Sequence, residues 1–532
     1  MVTIRRMVLD DIQAEHNYPW SRSQMKEFHM RVNIFRIENS DVNAAKKKLT
    51  ASNMQVIYRG VQAGWQGEFY FSDRPAPTDV SWAKIFESYF AGEVPKNRNH
   101  FAAYVFTKGD LCYVISYGKT HFYLRPFCDF DFGIEVAKRI ADPSDTRLTA
   151  SRRFQGTQKK NIRSYANNTR LDIESGESVD YLQTSINESL HNVFGKTGKF
   201  GSSVQLNPQI EITGLGKFLT ELADAAGKAE QFKLPRTTVV KDKTELDKFD
   251  QLLVKELTGK IGLSEFSDNS YDLYGVDFVF GSEGDFTIHC PGKKPSKVDQ
   301  LTMKELKDFI RDQKLDRSEI LRIKINRNPS DGPEWTQDIK EAVDFIADKE
   351  RVFLTGGRWT RFNQDYLDAL DGYLRDILVD AVEPEFTEIS SSEPEFNLST
   401  AIAAAGYKVA DRDFSIFRTR AKTPIEAWDL SKDDCVYAVK FGNAQKLGYV
   451  CDQAINTLEL LRNNAGIKQI PNFTSYCLWL GYRAQKTAPS SIADSGSIIL
   501  KQKVERWARK CHELGVTPMI KISRKVRDSA DI

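Results

Sequence analysis

The sequence lacks the residue groupings that mark disulfide frameworks and zinc sites. Its seven cysteines are scattered, and no two of them form a CxxC pair. The seven histidines are isolated, and the neighbours His289 and Cys290 have no further ligands at zinc spacing. An odd number of scattered cysteines argues against the disulfide framework of an extracellular protein. The sequence therefore predicts reduced thiols and a cytoplasmic protein.

Long apolar runs and nucleotide-binding motifs are also missing. No segment approaches the roughly 18 uninterrupted apolar residues of a membrane span, which predicts a chain without membrane contact. The absence of GxxxxGK[ST], GxGxxG and GxSxG patterns argues against a P-loop NTPase, a dinucleotide enzyme and an α/β-hydrolase. Neither charge sign dominates, since 75 Lys and Arg stand against 73 Asp and Glu. Any nucleic-acid surface must therefore come from local segregation of charge.

The length of 532 residues exceeds what one hydrophobic core supports, so several domains are expected. Alternating helical and strand patterns predict a multidomain α/β and α+β protein. Composition changes divide the chain into a polar N-terminal arm (1–26), a small α+β domain (27–125), a basic, loop-rich segment (126–235), an α+β middle domain (236–385) and a C-terminal α/β domain (386–532).

One stretch of the chain is strongly basic. No acidic residue occurs between Asp145 and Asp172. The cations that we expect to contact nucleic-acid phosphates are Arg147, Arg152, Arg153, Lys159, Lys160 and Arg163. Phe154 and Tyr165 within this stretch are candidates for stacking on bases. The alternative interpretation is a solvated loop without a partner.

The C-terminal domain contains an acid and a lysine on neighbouring predicted strands. Asp429 ends the first strand and Lys440 ends its hairpin partner, so both side chains can reach one rim. A carboxylate that holds Mg²⁺ or Mn²⁺ and a lysine that stabilises developing charge suit phosphodiester hydrolysis. Glu426 is the expected second metal ligand, with Glu393, Asp433 and Asp434 as alternatives. A surface hairpin with solvated charges is the alternative to a site.

This arrangement resembles the PD-(D/E)XK nuclease fold, a restriction-endonuclease-like mixed sheet flanked by helices. Glu393 lies near the first helix and Gln453 on the helix after Lys440, where that superfamily often has an acid and a glutamine. The superfamily's usual acid two residues before the lysine is replaced by Ala438. The resemblance thus implies catalytic roles for Asp429, Lys440, Glu426, Glu393 and Gln453 at a divergent site.

From about Val32 onward the chain resembles the bacterial "sporadically distributed protein" family, whose genes often lie near mobile elements or defence genes. The resemblance rests on short blocks in the same order. They include Tyr113–Gly118, Asp131–Ile134, Ile212–Gly214, Gly356–Trp359, Glu393–Asn397, Ile425–Leu430 and Val439-Lys440. The chain departs from the family's usual residues at Phe396, Trp428 and Ala438.

Two functions follow as hypotheses. The first is an anti-phage, defence-type protein that engages nucleic acid, with DNA favoured over RNA, and carries a divergent metal-dependent nuclease-like domain. The second is a non-catalytic nucleic-acid-binding or sensor subunit that works with a separate effector. The expected partners are nucleic acid and either a second copy of the chain or another defence protein. The near-neutral charge also fits a structural protein that binds no nucleic acid.

Overall fold

The computed structural model describes residues 30–154, 159–259, 264–266, 271–274, 276–280, 284–298, 300–329, 335–410, 417–418, 424–425, 428–462, 473–483 and 487–526. The predicted arm, residues 1–26, and Glu426 lie outside these residues. The described chain is a mixed α/β structure built around several sheets, which confirms the predicted multidomain α/β class. No described helix is both long enough and apolar enough to span a membrane.

The first part of the chain forms one large sheet and its covering helices. Its strands are β1 (Val32–Ile37), β2 (Gln55–Gln62), β3 (Trp65–Phe71), β4 (Thr78–Asp79), β5 (Lys96–Asn97), β6 (Ala102–Lys108), β7 (Leu111–Tyr117), β8 (Ala141–Arg152), β9 (Lys160–Thr169), β10 (Ser178–Ile186), β11 (Thr197–Phe200) and β12 (Val204–Leu206). Its α-helices are α1 (Val42–Ala51), α2 (His121–Leu124), α3 (Phe132–Ile140), α4 (His191–Phe194) and α5 (Leu215–Ala226).

Ten of these strands pair in the order β2-β3-β6-β7-β1-β12-β11-β10-β8-β9. Alternate residues of β1 enter different cores: Val32 and Ile34 pack with α3 and α5, while Phe35 and Ile37 pack with α1. Helix α3 lies very close to the sheet, because a Cβ on Gly133 would stand 2.3 Å from two backbone carbonyl oxygens. The sheet therefore joins the segments 27–125 and 126–235.

The basic stretch forms β8 and β9, a hairpin at the edge of this sheet, instead of the loops that its composition suggests. Both strands are rich in polar side chains. The sequence there lacks the apolar alternation from which a half-buried strand is predicted. Carboxylates from other segments neutralise much of the charge, as described below, and this pairing makes strand formation favourable there.

The middle of the chain contributes two smaller sheets. Its strands are β13 (Thr237–Val239), β14 (Ser264–Phe266), β15 (Tyr271–Tyr274), β16 (Asp277–Phe280), β17 (Gly284–His289), β18 (Ser296–Val298), β19 (Lys324–Pro329), β20 (Trp335–Asp338), β21 (Val343–Ala347), β22 (Val352–Thr355) and β23 (Arg358–Phe362). Its α-helices are α6 (Lys243–Thr258), α7 (Met303–Asp312), α8 (Arg317–Ile320), α9 (Ile339–Ala342) and α10 (Gln364–Arg375). The sheet orders are β13-β23-β22-β21-β14 and β18-β17-β19-β20, beside the β15–β16 ribbon.

The last part of the chain holds the candidate site. Its strands are β24 (Leu378–Val379), β25 (Glu388–Ile389), β26 (Lys408–Val409), β27 (Phe417–Arg418), β28 (Pro424–Ile425), β29 (Leu430–Lys432), β30 (Cys435–Gly442), β31 (Ser475–Arg483) and β32 (Thr517–Lys525). Its α-helices are α11 (Glu393–Asn397), α12 (Thr400–Ala404), α13 (Ala444–Arg462) and α14 (Ile498–Glu513).

The sheet of this part runs β24-β32-β31-β30-β29-β26. Strands β26, β29 and β30 are antiparallel neighbours, whereas β30, β31 and β32 are parallel and are connected through α13 and α14. Parallel strands covered on both faces need apolar residues on both, and the buried run Tyr476–Gly481 of β31 meets that requirement. Between α12 and α13 the described residues form five strands, β26 to β30, of which β26, β29 and β30 belong to this sheet.

All seven cysteines are unpaired and buried, which confirms the expected absence of disulfides. Burial raises the pKa of the Cys112 thiol to about 12, and it raises that of Cys451 to about 12. Protonated, buried thiols are poor nucleophiles, so these cysteines serve packing.

Candidate functional site

Side chains from four separate segments line one cavity of about 40 Å³ in the C-terminal part. We call it the C-terminal pocket, and the sequence-predicted residues that line it are Glu393, Asp429, Lys440 and Gln453. Helix α11 supplies Glu393, the β29–β30 hairpin supplies Asp429 and Lys440, and α13 supplies Gln453. The order of helices and strands thus gathers residues that are far apart in sequence.

Asp429 lies just before β29, at the start of that strand and not at the end of a longer one. Its backbone N–H donates to the carbonyl oxygen of Tyr437 at 2.9 Å. Its side-chain Oδ2 accepts a hydrogen bond from the backbone N–H of Val439 at 2.6 Å. The carboxylate therefore bridges the two strands of the hairpin and is held in a fixed position beside the pocket.

Lys440 occupies the middle of β30 and points toward α11. Its Nζ donates to Oε1 of Glu393 at 2.8 Å, and both side chains keep partial solvent exposure, 29% and 23%. Each group thus fixes the other while water still reaches the pair. A cation and two carboxylates therefore share the pocket.

Ala438 lies on the same face of β30 as Lys440, two residues away, and lines the pocket with its methyl group. It is 4% exposed, and its neighbours on β30, Tyr437 and Val439, both hydrogen-bond to Asp429. The position at which the resembled nuclease fold carries its second acid therefore faces the pocket, although no carboxylate occupies it. Among the described residues, no three His, Cys, Asp or Glu side chains form a group that could hold a metal.

Asn397, at the end of α11, is a buried residue that contacts the Asp429 side chain. It is 1% exposed, and its Nδ2 lies 3.5 Å from Oδ1 of Asp429. Its own Oδ1 is buried without a hydrogen-bond partner in the described part of the chain. Composition and spacing give no sign of this role, and only the resemblance marks Asn397 in the sequence.

Tyr476 and Trp428 form the apolar side of the pocket. Burial raises the pKa of the Tyr476 hydroxyl well above its usual value, and the negative charge of Asp429 raises it further. The phenol therefore stays protonated. Sequence reasoning missed both residues as pocket walls, because a buried aromatic in a strand reads as ordinary core.

The pocket contains oxygen-bearing side chains of the kind from which a Mg²⁺ or Mn²⁺ ligand set would have to be drawn. Asp429 and Glu393 provide two carboxylates and Gln453 an amide oxygen, all on one pocket. Magnesium is commonly held by only one or two protein carboxylates, because it gives up water reluctantly. Glu426, the other expected ligand, lies outside the described residues.

The six cations of the basic stretch, residues 147–163, are placed in a different setting. Five of them have a carboxylate partner: Arg147 pairs with Asp145, Arg152 with Asp180, Arg153 with Glu174 and Glu505, Lys159 with Glu265, and Arg163 with Glu174 and Glu177. Lys160 lies on β9 and lines a second cavity. Phosphate contact by these residues stays a prediction. The paired cations would have to break their ion pairs with protein carboxylates in order to bind phosphates.

Phe154 does not serve base stacking. Its side chain is 4% exposed and packs edge-on against Phe353 at 4.3 Å between ring centroids. It belongs to the apolar core that Tyr366 of α10 shares with the C-terminal part. A buried ring cannot stack on a base, so the stacking interpretation for this residue is wrong.

No curated protein and no solved structure is detectably similar to this chain. A family model does match: residues 32–472 fit the family of unknown function DUF6119. That match covers most of the chain, including Glu393, Asp429, Lys440 and Gln453. The expectation of an uncharacterised family is confirmed, and the chain belongs to the DUF6119 family.

Proposed function

We propose that the C-terminal part is a divergent, metal-dependent nuclease-like domain that hydrolyses phosphodiester bonds. The observation that carries this proposal is the convergence of Glu393, Asp429, Lys440 and Gln453 on one pocket. The helix–strand–strand–strand–helix–strand order around it supports the restriction-endonuclease-like, PD-(D/E)XK interpretation. The resemblance in fold supports this interpretation, but the proposed function depends on the residues of the site.

In the proposed reaction, water attacks phosphorus, one P–O bond breaks, and the leaving oxygen takes up a proton. Asp429 and Glu393 would hold Mg²⁺ or Mn²⁺, with Gln453 as a further oxygen ligand. The bound cation would polarise the phosphate and lower the pKa of the attacking water. Lys440 places a positive charge where negative charge develops on the phosphate oxygens. Asn397 and the Val439 N–H keep the Asp429 carboxylate in one orientation.

The biological setting that we propose is bacterial anti-phage defence in the cytoplasm. It rests on the resemblance described above, and DNA is the favoured substrate over RNA. The cytoplasmic setting is supported by seven buried, unpaired thiols, which need no oxidising compartment. A second copy of the chain or a separate defence protein is the expected protein partner.

The test is cleavage of duplex and single-stranded DNA and RNA with Mg²⁺, with Mn²⁺ and with EDTA. Asp429→Asn should abolish cleavage, because an amide no longer anchors the cation by charge. Asparagine is the better replacement because its carbonyl can still accept from the Val439 N–H. Alanine would leave that N–H without its partner and cost about 1–3 kcal/mol of stability, so it is not the neutral change that a rim residue suggests.

Asp433→Asn is the matched control on the same hairpin. Asp433 has a φ of 52°, which asparagine tolerates, and it does not line the pocket. This variant should cleave like the wild type. Cleavage that persists in Asp429→Asn would place the activity elsewhere and contradict the proposal.

A non-catalytic nucleic-acid-binding or sensor subunit is the second candidate, and Ala438 favours it. The methyl group at the position of the usual second acid leaves the pocket with one carboxylate fewer than the resembled fold. Tight nucleic-acid binding by the wild type, without cleavage under any metal condition, would select this function over the first.

A further inference from the structure

A second cavity, of about 140 Å³, lies between the ten-stranded sheet and the five-stranded sheet. We call it the arginine cavity. Its cationic lining residues are Arg125, Arg152, Lys160, Arg236 and Arg358. Arg152 and Lys160 are paired residues of the β8–β9 hairpin, whereas Arg125, Arg236 and Arg358 come from distant segments that the tertiary structure brings together. Nothing in the proposed nuclease chemistry uses this cavity.

Two of these arginines are neutralised within the protein. Arg152 donates to Oδ2 of Asp180 at 2.5 Å. Arg236, which is 6% exposed, donates to Oδ1 of Asp131 on the opposite side. These pairs fix the walls of the cavity and account for two of its carboxylates.

Arg358 differs, because no carboxylate of the described residues forms an ion pair with it. Its guanidinium donates to the backbone carbonyl oxygens of Arg125 and Pro126, at 3.4 and 3.2 Å. It also stacks over the ring of Phe130, 3.8 Å from the centroid. Burial lowers the pKa of Arg358 and the positive charge of Arg125 lowers it further, while the carboxylates of Glu341 and Asp131 oppose that shift. The guanidinium of Arg358 therefore faces the cavity without a direct carboxylate partner among the described residues.

We propose that the arginine cavity binds a small phosphorylated ligand whose phosphate contacts Arg358. A guanidinium offers a planar fork of donors that matches phosphate oxygens, and its stacking on Phe130 fixes the plane of that fork. The hydroxyl of Ser202 lies on the same cavity and can add a hydrogen bond.

The remaining lining residues indicate what the phosphate is attached to. Glu341 also lines the cavity, and although its Oε2 accepts from the Asp338 N–H at 3.1 Å, a carboxylate has further acceptor capacity for a hydroxyl group. Typical pockets for drug-sized ligands measure roughly 300–1,000 Å³. The smaller arginine cavity therefore suits a sugar phosphate better than a dinucleotide.

A ligand in this position would contact both sheets at once. Arg152, Asp180 and Ser202 belong to the ten-stranded sheet and its turns, whereas Thr355 and Arg358 belong to the five-stranded one. The hydroxyl of Thr355 already accepts a hydrogen bond from Arg152 across this boundary. Binding should therefore raise the melting temperature of the whole chain, because a ligand that binds only the folded state stabilises it.

The experiment is calorimetric titration and thermal melting of the full chain at constant ionic strength. The probes are inorganic phosphate, ribose 5-phosphate and ribose. We expect heat and a rise in melting temperature with both phosphate probes, a tighter response to ribose 5-phosphate, and no response to ribose. Arg358→Gln should weaken binding by about tenfold or more, the scale for a lost hydrogen bond to a charged group.

Arg361→Gln is the matched control, since Arg361 lies on the same strand, already pairs with Glu245 and does not line the cavity. It should bind both phosphate probes like the wild type. Absence of any response in the wild type would overturn the proposal, whether or not Arg358→Gln folds. Equal affinity in Arg358→Gln and the wild type would also overturn it, as would an equal response to ribose.

Discussion

The basic stretch and the C-terminal pocket contain the same kinds of charged side chain, but the protein uses them differently. In the basic stretch, Arg153 meets Glu174, Glu177 and Glu505, the last of which is 352 positions away. In the pocket, Lys440 and Glu393 form one pair, and Asp429 is held by the Val439 backbone N–H. The cations of the basic stretch, which look available in the sequence, are neutralised by ion pairs. The residues of the C-terminal pocket are scattered in the sequence but meet at one cavity.

The paired arginines connect two parts of the molecule. Glu505 lies on α14, is 1% exposed, and bonds both Arg153 and Arg509. Burial raises the pKa of Glu505, although both arginines oppose that effect. Glu177, next to β10, is fully buried and bonds Arg163. The network therefore ties the ten-stranded sheet to the C-terminal helix layer and serves the fold.

After the loss of cleavage expected for Asp429→Asn, the largest expected effect is at Lys440. Lys440→Met should lower the rate of metal-dependent cleavage by about 10²–10³, the scale for losing one preorganised charge-stabilising group. Single-turnover cleavage at saturating enzyme measures it. Lys446→Met, an exposed lysine that does not line the pocket, is the control and should leave the rate unchanged. Equal rates in both variants would contradict a role for Lys440 in cleavage.

The second prediction concerns stability in the basic stretch. Arg153→Gln should lower the free energy of unfolding by about 3 kcal/mol, because it leaves the buried Glu505 and Glu177 short of positive charge. Arg147→Gln, at an ion pair with 35% exposure of the arginine, should cost less than about 1 kcal/mol. Urea unfolding of both variants measures the difference. Similar losses in the two would contradict a structural role for the network.

Nucleic-acid contact by the same stretch has a separate readout. If its cations contact phosphates, the slope of log affinity against log salt should change by about 0.9 for each duplex contact removed. Replacing Arg152, Arg153, Lys159 and Lys160 with alanine should then flatten the slope. Most of these residues form ion pairs with carboxylates of the protein. An unchanged slope in a folded variant would therefore mean that the basic stretch has only a structural role.

The third prediction sharpens the interpretation of the pocket. Ala438→Glu should tighten Mn²⁺ binding by about tenfold, because it adds a carboxylate to the pocket that Asp429 and Glu393 line. Calorimetric titration with Mn²⁺ measures the affinity, with Ala438→Gln as the uncharged control of nearly equal size. Equal affinities in the two variants would show that the added charge does not reach the ion.

The smallest effect is expected at Glu383, beneath the C-terminal sheet. Burial raises its pKa, but hydrogen bonds from Tyr407 and Lys521 outweigh burial and hold that pKa at about 2. The ionised form is favoured in the folded state, so its contribution is complete above pH 4.5 and is lost as pH falls toward 2. Glu383→Gln should cost about 1–2 kcal/mol at pH 7, after allowance for solvent screening.

Urea unfolding between pH 7 and pH 2 follows this contribution. The difference between the wild type and Glu383→Gln should shrink as the pH falls through that range. Glu385→Gln, an exposed neighbour, should show no such trend. A constant difference at all pH values would contradict the sign of the shift.

Local patterns in the sequence predicted the elements that position the pocket. The alternation around Asp429 and Lys440 gave the hairpin, the apolar periodicity gave α13, and the scattered cysteines predicted unpaired thiols. These features depend on a few neighbouring residues, so they can be read without knowledge of the rest of the chain. The resemblance to a nuclease fold added Glu393 and Gln453, which spacing alone would not have selected.

The tertiary structure alone decided which charges are neutralised and which meet in a cavity. Chain folding placed Ala438 and Asp429 on one pocket and brought Glu505 to Arg153, and packing of two sheets gathered Arg125, Arg236 and Arg358. Ion pairing acts over a few ångströms in space and is indifferent to separation along the chain. The sequence therefore determined the segments and their charges, while the choice of partner for each charge required the folded chain.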